Sequence, residues 1–268
     1  MLNELVFIGL GLQDELGISL RGVEEAKSCD HLFAELYTNL MPGLSLENLQ
    51  RTLAKQIRVL TRKEVEERAE GLILSKAKTG KVGFLVPGDP MVATTHVDLR
   101  LRAHKAGIQT RIIHAASVGS AVAGVTGLQS YKFGRTVTIP ATHEGEFPES
   151  IYMAIKSNME SGLHTLILVE IDLEHKRHIT IPQALNRLLA FAQRRPDRMV
   201  TPETLVVGAA RLESPNMTLK AGTAKEIAQT DFGEPPYTLI IPGRLHFMEA
   251  EALQAFCGAD RELVDQTP

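Results

Sequence analysis

The first 114 residues alternate short apolar runs with stretches of helical periodicity, and this alternation limits the fold more than any other property of the chain. Glu4–Leu10 reads as a buried strand ending at the turn Gly9-Leu10-Gly11. Ser19 to Cys29 carries Leu20, Val23 and Ala26 at helical spacing, with Ser19 as N-cap. His31–Leu36 predicts a second strand, and Ser45 caps a segment bearing Leu46, Leu49 and Leu53. Ile57–Leu60 predicts a third strand. Thr61-Arg62-Lys63-Glu64 is a capping-box sequence opening a helix that should run to about Lys78. Val82–Val86, a helix over His96–Ala106 and Gln109–Ile113 complete the series. Five strands interleaved with four helices imply right-handed crossovers and a mostly parallel sheet.

The second half changes style. Ser117–Leu128 is apolar but built of small residues, with Gly119, Ala121, Ala123, Gly124 and Gly127, and reads as a close-packed helix near the join of two halves. Strands are expected at Thr136–Ile139, Thr165–Glu170, Thr204–Ala210, Met217–Ala221 and Thr238–Ile241. Helices are expected near Glu149–Met159, Pro182–Arg194, Ala224–Gln229 and Glu249–Phe256. Only Arg211–Asn216 separates two of the strands, a hairpin-length connection, so this sheet should be mixed. The division predicts an α/β domain over residues 1–114 and a second over 115–268.

Composition narrows the function classes. A formal net charge of −3 gives no bulk electrostatic reason to bind nucleic acid. Two cysteines, Cys29 and Cys257, lie far apart, which suggests neither a disulfide framework nor a thiolate metal site and fits a reducing cytoplasm. No run approaches ~18 apolar residues, and Asn3 and Glu4 stand where a signal peptide would carry Lys or Arg. A cytoplasmic protein without a membrane segment is expected.

Several chemistries are disfavoured. Gly9-Leu10-Gly11 has two glycines of a dinucleotide fingerprint, but Asp14 stands where the third is needed. No Walker lysine follows a glycine loop, and no Gly-x-Ser-x-Gly elbow marks a nucleophile. His175 and His178 lack a third ligand nearby, so no metal site is expected. What remains is a set of glycine-rich or small-residue turns at strand ends: Leu10–Asp14, Pro87–Val92, Ser117-Val118 and the stretch around Ala210. Such turns suit a cofactor held by backbone hydrogen bonds and apolar packing. The most distinctive is Pro87-Gly88-Asp89-Pro90, where two prolines stiffen a Gly-Asp pair beyond a strand's carboxyl end. Asp89 would sit there as a fixed anion that contributes little to the core, with backbone N–H and C=O groups of the turn exposed beside it. A plain sharp turn is an equally good reading of the same four residues.

Longer motifs carry a resemblance. Phe7-Ile8-Gly9-Leu10-Gly11-Leu12-x-Asp14, Lys27-x-Cys29-Asp30 and Glu35-x-Tyr37-Thr38 are similar to the diphthine synthases, a branch of the tetrapyrrole methylase-like superfamily. So are Val86-Pro87-Gly88-Asp89-Pro90-x-Val92-Ala93-Thr94-Thr95-His96 and Asp231-Phe232-Gly233-x-Pro235-Pro236-Tyr237. Ile241-Pro242-Gly243-x-Leu245-His246-x-x-Glu249-Ala250-Glu251 extends the match to essentially the whole chain. Tetrapyrrole methylases proper usually carry Gly-Pro-Gly-Asp after the first strand, whereas this chain has Gly-Leu-Gly-Leu-Gln-Asp.

The resemblance implies a two-domain α/β fold of the tetrapyrrole methylase-like type, with a mostly parallel N-terminal sheet, a mixed C-terminal sheet and flanking helices. It implies a homodimer, with S-adenosylmethionine in the cleft between the domains. The implied acceptor is a histidine of translation elongation factor 2 bearing a 3-amino-3-carboxypropyl group, whose amine is methylated, up to the trimethylamine, to give diphthine. Implied cofactor contacts are Leu10, Asp89, Val92, Ser117, Val118, Leu168, Leu212 and Tyr237. Glu35, Tyr37 and Glu170 are candidates for the acceptor side or, equally, structural strand-end residues. An acceptor amine must lose a proton before it reacts, and no base is identified. Two other readings stand beside this one: a precorrin-type small-molecule methyltransferase of the same fold, and a non-enzymatic S-adenosylmethionine sensor.

Overall fold

The computed structural model describes residues 3–141, 147–173 and 177–267. The chain forms two compact units, Met1–Val118 and Gly119–Pro268. His175 lies outside the described residues.

In the first unit β1 (Glu4–Gly9), β2 (His31–Glu35), β3 (Ile57–Leu60), β4 (Lys81–Val86) and β5 (Gln109–Ile113) form one sheet in the order β3-β2-β4-β1-β5. Every pairing is parallel. β1 is buried at every position and β4 from Val82 to Val86, because helices cover both faces and leave no side for polar alternation. Within β1 the residues still divide by parity. Leu5 and Phe7 join a core with Val65, Ile73 and Leu99, while Val6 and Ile8 face Ala26, Leu49 and Leu53. The expected N-caps are present: Ser19 accepts from the Gly22 N–H and Ser45 from the Asn48 N–H. At the opposite end from the strand-end loops, Glu25 receives Lys81 Nζ at 2.7 Å and Arg111 Nη1 at 3.0 Å. Arg111 and then Lys81 hold the Glu25 carboxyl down at about 2.

One helix departs from expectation. The Thr61 capping box forms, but the helix it opens is broken into Arg62–Glu67, a wider π turn at Glu70–Leu74 and Ser75–Ala77. The cause is legible in the core residues Val65, Ala69, Ile73 and Ala77, which recur every four positions. An α-helix repeats every ~3.6 residues, so a four-residue repeat would drift off the sheet, and one wide turn absorbs the excess.

The second unit contains β6 (Val137–Ile139), β7 (Thr165–Val169), β8 (Ile171–Asp172), β9 (Arg177–His178), β10 (Leu205–Ala210), β11 (Thr218–Thr223) and β12 (Tyr237–Ile241). Its main sheet has the order β11-β10-β12-β7-β6. It is mixed as expected, with only β6–β7 parallel. β8 and β9 form a small hairpin that no periodicity announced, since two-residue strands carry none. Helices Glu149–Glu160 and Ile181–Gln193 set Tyr152, Ile155, Leu185 and Leu188 into the core against Ile167 and Leu239. Among the described residues, no helix is long and apolar enough to cross a membrane.

Candidate active site

The carboxyl ends of β1, β4 and β5 converge in the first unit. Leu10 N–H donates to Val86 O at 2.9 Å, and Gly88 N–H donates to Gly11 O at 2.7 Å, so the loops after β1 and β4 are tied by backbone. A Cβ at Gly9 would lie 2.6 Å from Gly88 O and 2.7 Å from Ala115 Cβ; only glycine permits this approach. Gly88 has φ +70°, the conformation the Pro-Gly-Asp-Pro turn needs. Its missing Cβ would face open space, with only Ala116 O as near as 4.0 Å.

That geometry puts Asp89 in a place the sequence did not suggest. Its side chain is 5% exposed and is braced on several sides. Oδ1 accepts from the Met91 N–H at 2.9 Å. Oδ2 accepts from the Ala115 N–H at 3.3 Å and meets His114 Nδ1 at 2.7 Å. Asp89 therefore joins the β4 loop to the segment after β5, and the expectation that this loop carboxylate contributes little to the fold is corrected. The cause is the convergence of β4 and β5 on either side of β1, which brings residues 25 apart in sequence into contact.

The other implied contacts of this unit lie on the same chain segments. Leu10 is fully buried, so its backbone is what it can offer. Val92 is 44% exposed, and its N–H donates to Asp89 O at 3.3 Å. Ser117 is buried, and Val118 opens the helix Val118–Thr126. Ala93, next to Val92, holds φ +56°, an uncommon conformation for a residue with a side chain. His114, largely exposed and bonded to Asp89, was missed in the sequence. Its signal was position alone: an imidazole directly after a parallel strand.

Two of the motifs prove to be structural partners of each other. Glu35 Oε2 accepts from the Tyr37 and Thr38 N–H groups at 3.1 and 3.0 Å, and Oε1 meets His96 Nε2 at 3.1 Å. Glu35 and His96 are both essentially unexposed, and His96 stands edge-on to Phe84 with ring centroids 5.2 Å apart. Glu35-x-Tyr37-Thr38 and Ala93-Thr94-Thr95-His96 are thus two sides of one internal brace, which takes Glu35 off the acceptor side. Glu170 braces as well, Oε2 accepting from the Ala141 N–H at 2.8 Å.

In the second unit the strand register groups the remaining implied contacts. Tyr237 pairs with Ala210 and Thr238 with Leu168, so the start of β12 shares a sheet end with the close of β10 and of β7. Leu212 follows β10 by two residues and is buried. Arg211, at φ +52°, pins this loop: Nη1 donates to Phe232 O at 2.8 Å and Nη2 to Asn216 O at 2.9 Å. The Tyr237 hydroxyl donates to Gly233 O, and burial pushes its pKa up. Tyr237 also borders a cavity of about 320 Å³ lined by Thr180, Pro182, Asp231 and Phe232.

A parallel α/β unit whose strand-end loops enclose a buried carboxylate, followed by a mixed α/β unit, is the arrangement of a known enzyme class. A family model described as tetrapyrrole (corrin/porphyrin) methylases matches residues 4–228. The diphthine synthase of Methanocella arvoryzae is 45% identical over 95% of this chain and 98% of its own. That of Methanocaldococcus jannaschii is 45% identical over 94% of this chain and 98% of its own. A crystal structure of diphthine synthase superposes with a TM-score of 0.88 at 35% identity, covering 98% of this chain and 99% of that one. The chain belongs to the diphthine synthase family of the tetrapyrrole methylases, and is a methyltransferase of diphthamide biosynthesis.

Proposed function

We propose that the methyl donor is S-adenosylmethionine, leaving as S-adenosylhomocysteine, and that the acceptor is the amine of the 3-amino-3-carboxypropyl-histidine of translation elongation factor 2. The observation that carries the reading is Asp89, a buried carboxylate at the joined ends of β1, β4 and β5 in a chain of this family. An ionised carboxylate offers about four lone-pair sites. Met91, Ala115 and His114 occupy three of them, which leaves one for a hydroxyl or ammonium donor of the cofactor. The open space beside Gly88, the backbone of Leu10 and the apolar, partly exposed Val92 suit the rest of such a molecule. When bound, S-adenosylmethionine supplies a sulfonium-activated methyl group, so the protein's task is positioning and proton removal. Ser117 and Val118 in this unit, and Leu168, Leu212 and Tyr237 in the other, are assigned to the cofactor on the resemblance.

Incubation with methyl-labelled S-adenosylmethionine and elongation factor 2 carrying the unmethylated intermediate tests the proposal. Label on the factor, up to the trimethylamine, is expected. Label on a tetrapyrrole instead would restore the small-molecule reading, for which no observation here speaks.

A homodimer acting in the cytoplasm completes the proposal. Phe247, Met248 and Phe256, exposed on one helix of the second unit, are apolar surface that self-association would cover. Sedimentation at about twice the mass of the 29.4 kDa chain is expected, and a concentration-independent monomer would refute the dimer.

A further inference from the structure

His114 follows β5 directly, and its imidazole is held at one nitrogen only. Nδ1 lies 2.7 Å from Asp89 Oδ2, while the side chain is 69% exposed and that of Asp89 only 5%. The carboxylate cannot turn away, because the Met91 and Ala115 N–H groups fix both of its oxygens. A carboxylate acceptor keeps the proton of a neutral imidazole on Nδ1 and leaves the lone pair on Nε2. Nε2 has no hydrogen-bond partner among the described residues. Asp89 is the ionisable group in contact with the ring; Arg111, three residues earlier, is engaged by Glu4 and Glu25. A buried carboxylate, an oriented imidazole and an outward-facing basic nitrogen together make the carboxylate–histidine pair of a general base.

We propose that His114 is the base that deprotonates the acceptor amine, with Asp89 as the positioning residue that sets its tautomer. This rests on the methyl-transfer reading above. In the step, an N–H bond of the acceptor ammonium breaks, its proton passes to His114 Nε2, and the electron pair stays on the acceptor nitrogen as the nucleophilic lone pair. The imidazolium so formed is stabilised by Asp89 and returns its proton to water. Each methyl addition needs one such transfer, so a single base serves repeated rounds on the same nitrogen.

The first test needs no turnover. Nitrogen-15 NMR of the free protein should show neutral His114 as the Nδ1–H tautomer, and an Nε2–H tautomer would overturn the assignment. The second uses His114→Asn, which keeps an N–H for Asp89 but has no basic nitrogen. Its S-adenosylmethionine affinity by calorimetry should stay within about threefold, while kcat falls by about 10²–10⁴-fold, with partial rescue by added imidazole. A kcat within twofold of wild type overturns the assignment, as does a loss of cofactor affinity large enough to explain the loss of activity. If the wild-type protein labels no elongation factor, the methyl-transfer reading falls and the base with it. If the wild type labels the factor and His114→Asn does so equally, only the base assignment falls.

Discussion

His164 donates its Nε2–H to Glu249 Oε1 at 2.9 Å, with neither side chain exposed to solvent. The tautomer is fixed from the other side, where Nδ1 accepts from the Gly243 N–H at 3.0 Å. Glu249 also accepts from the Gln129 N–H and the His246 N–H, each at 2.8 Å, and from Lys132 Nζ. Pro242-Gly243-x-Leu245-His246-x-x-Glu249 is therefore a structural clasp, with Glu249 closing the capping box of helix Phe247–Cys257.

Breaking that clasp should be costly. In Glu249→Gln the amide oxygen can still serve Gln129 and His164, but the amide nitrogen faces the His246 N–H and the Lys132 ammonium. A buried donor and a cation then lose their acceptor, a change worth about 3–5 kcal/mol. Chemical denaturation should show it, and Lys132→Met in the same chain should recover part of the loss. Equal stability of wild type and Glu249→Gln would mean that the clasp does not hold this part of the fold.

Acid should act on the same cluster in a defined window. Burial opposes ionisation of Glu249, yet its donors outweigh that and hold its pKa at about 2, against a usual 4.5. A carboxylate with a depressed folded-state pKa stabilises above its unfolded value and loses that contribution as pH falls toward the folded one. The window is therefore about 4.5 down to about 2, with on the order of 3 kcal/mol at stake. His164 adds an earlier loss, because burial depresses its pKa and the unfolded chain takes up a proton below about 6.5. Glu25, held at about 2 by Arg111 and Lys81, shares the lower window but contributes less, Arg111 being nearly half exposed and open to screening by salt. Denaturation midpoints from pH 7 to 3, at low and high salt, should separate the two: the Glu25 part shrinks in salt and the Glu249 part persists.

What could be read from the sequence follows the range of the interaction involved. β1, β2 and β4 are runs of almost wholly buried residues, and the caps at Ser19, Ser45 and Thr61 are contacts over three positions, so both were visible locally. The break at Arg68 lay in the four-residue spacing of Val65, Ala69, Ile73 and Ala77, which sits close enough to helical periodicity to pass for it. Asp89–His114, Glu35–His96 and His164–Glu249 join residues 25, 61 and 85 positions apart. No local pattern signals such pairs, which is why Glu35 looked like an acceptor-side residue and His114 drew no notice.

The crowding around Gly9 gives a paired test. In Gly9→Ala the new methyl would meet Gly88 O at 2.6 Å and Ala115 Cβ at 2.7 Å, so the Pro87–Asp89 loop must move. Overpacking of this kind costs about 1–3 kcal/mol, and the displaced loop should also weaken cofactor binding. Gly71 sits in the wide turn with nothing within 4 Å of a built Cβ, and Gly71→Ala should be neutral or slightly stabilising. Thermal midpoints and calorimetry on both variants would check this; equal behaviour would mean that the close approach at Gly9 does not matter.

Asp89 separates charge from bracing. Asp89→Ala removes the acceptor for the Met91 and Ala115 N–H groups, and leaving buried donors unpaired costs about 1–3 kcal/mol of stability. Asp89→Asn keeps the shape and one acceptor oxygen but loses the negative charge and one acceptor. Its thermal midpoint should therefore fall less than that of the alanine variant. Cofactor affinity should drop in Asp89→Ala by what one charge-assisted hydrogen bond contributes, about 1.5–3 kcal/mol, or roughly ten- to a hundredfold. It should drop by less in Asp89→Asn, whose remaining oxygen still accepts a neutral hydrogen bond. If Asp89→Asn binds S-adenosylmethionine as tightly as wild type while Asp89→Ala unfolds early, Asp89 is a brace for the strand ends and not a cofactor ligand.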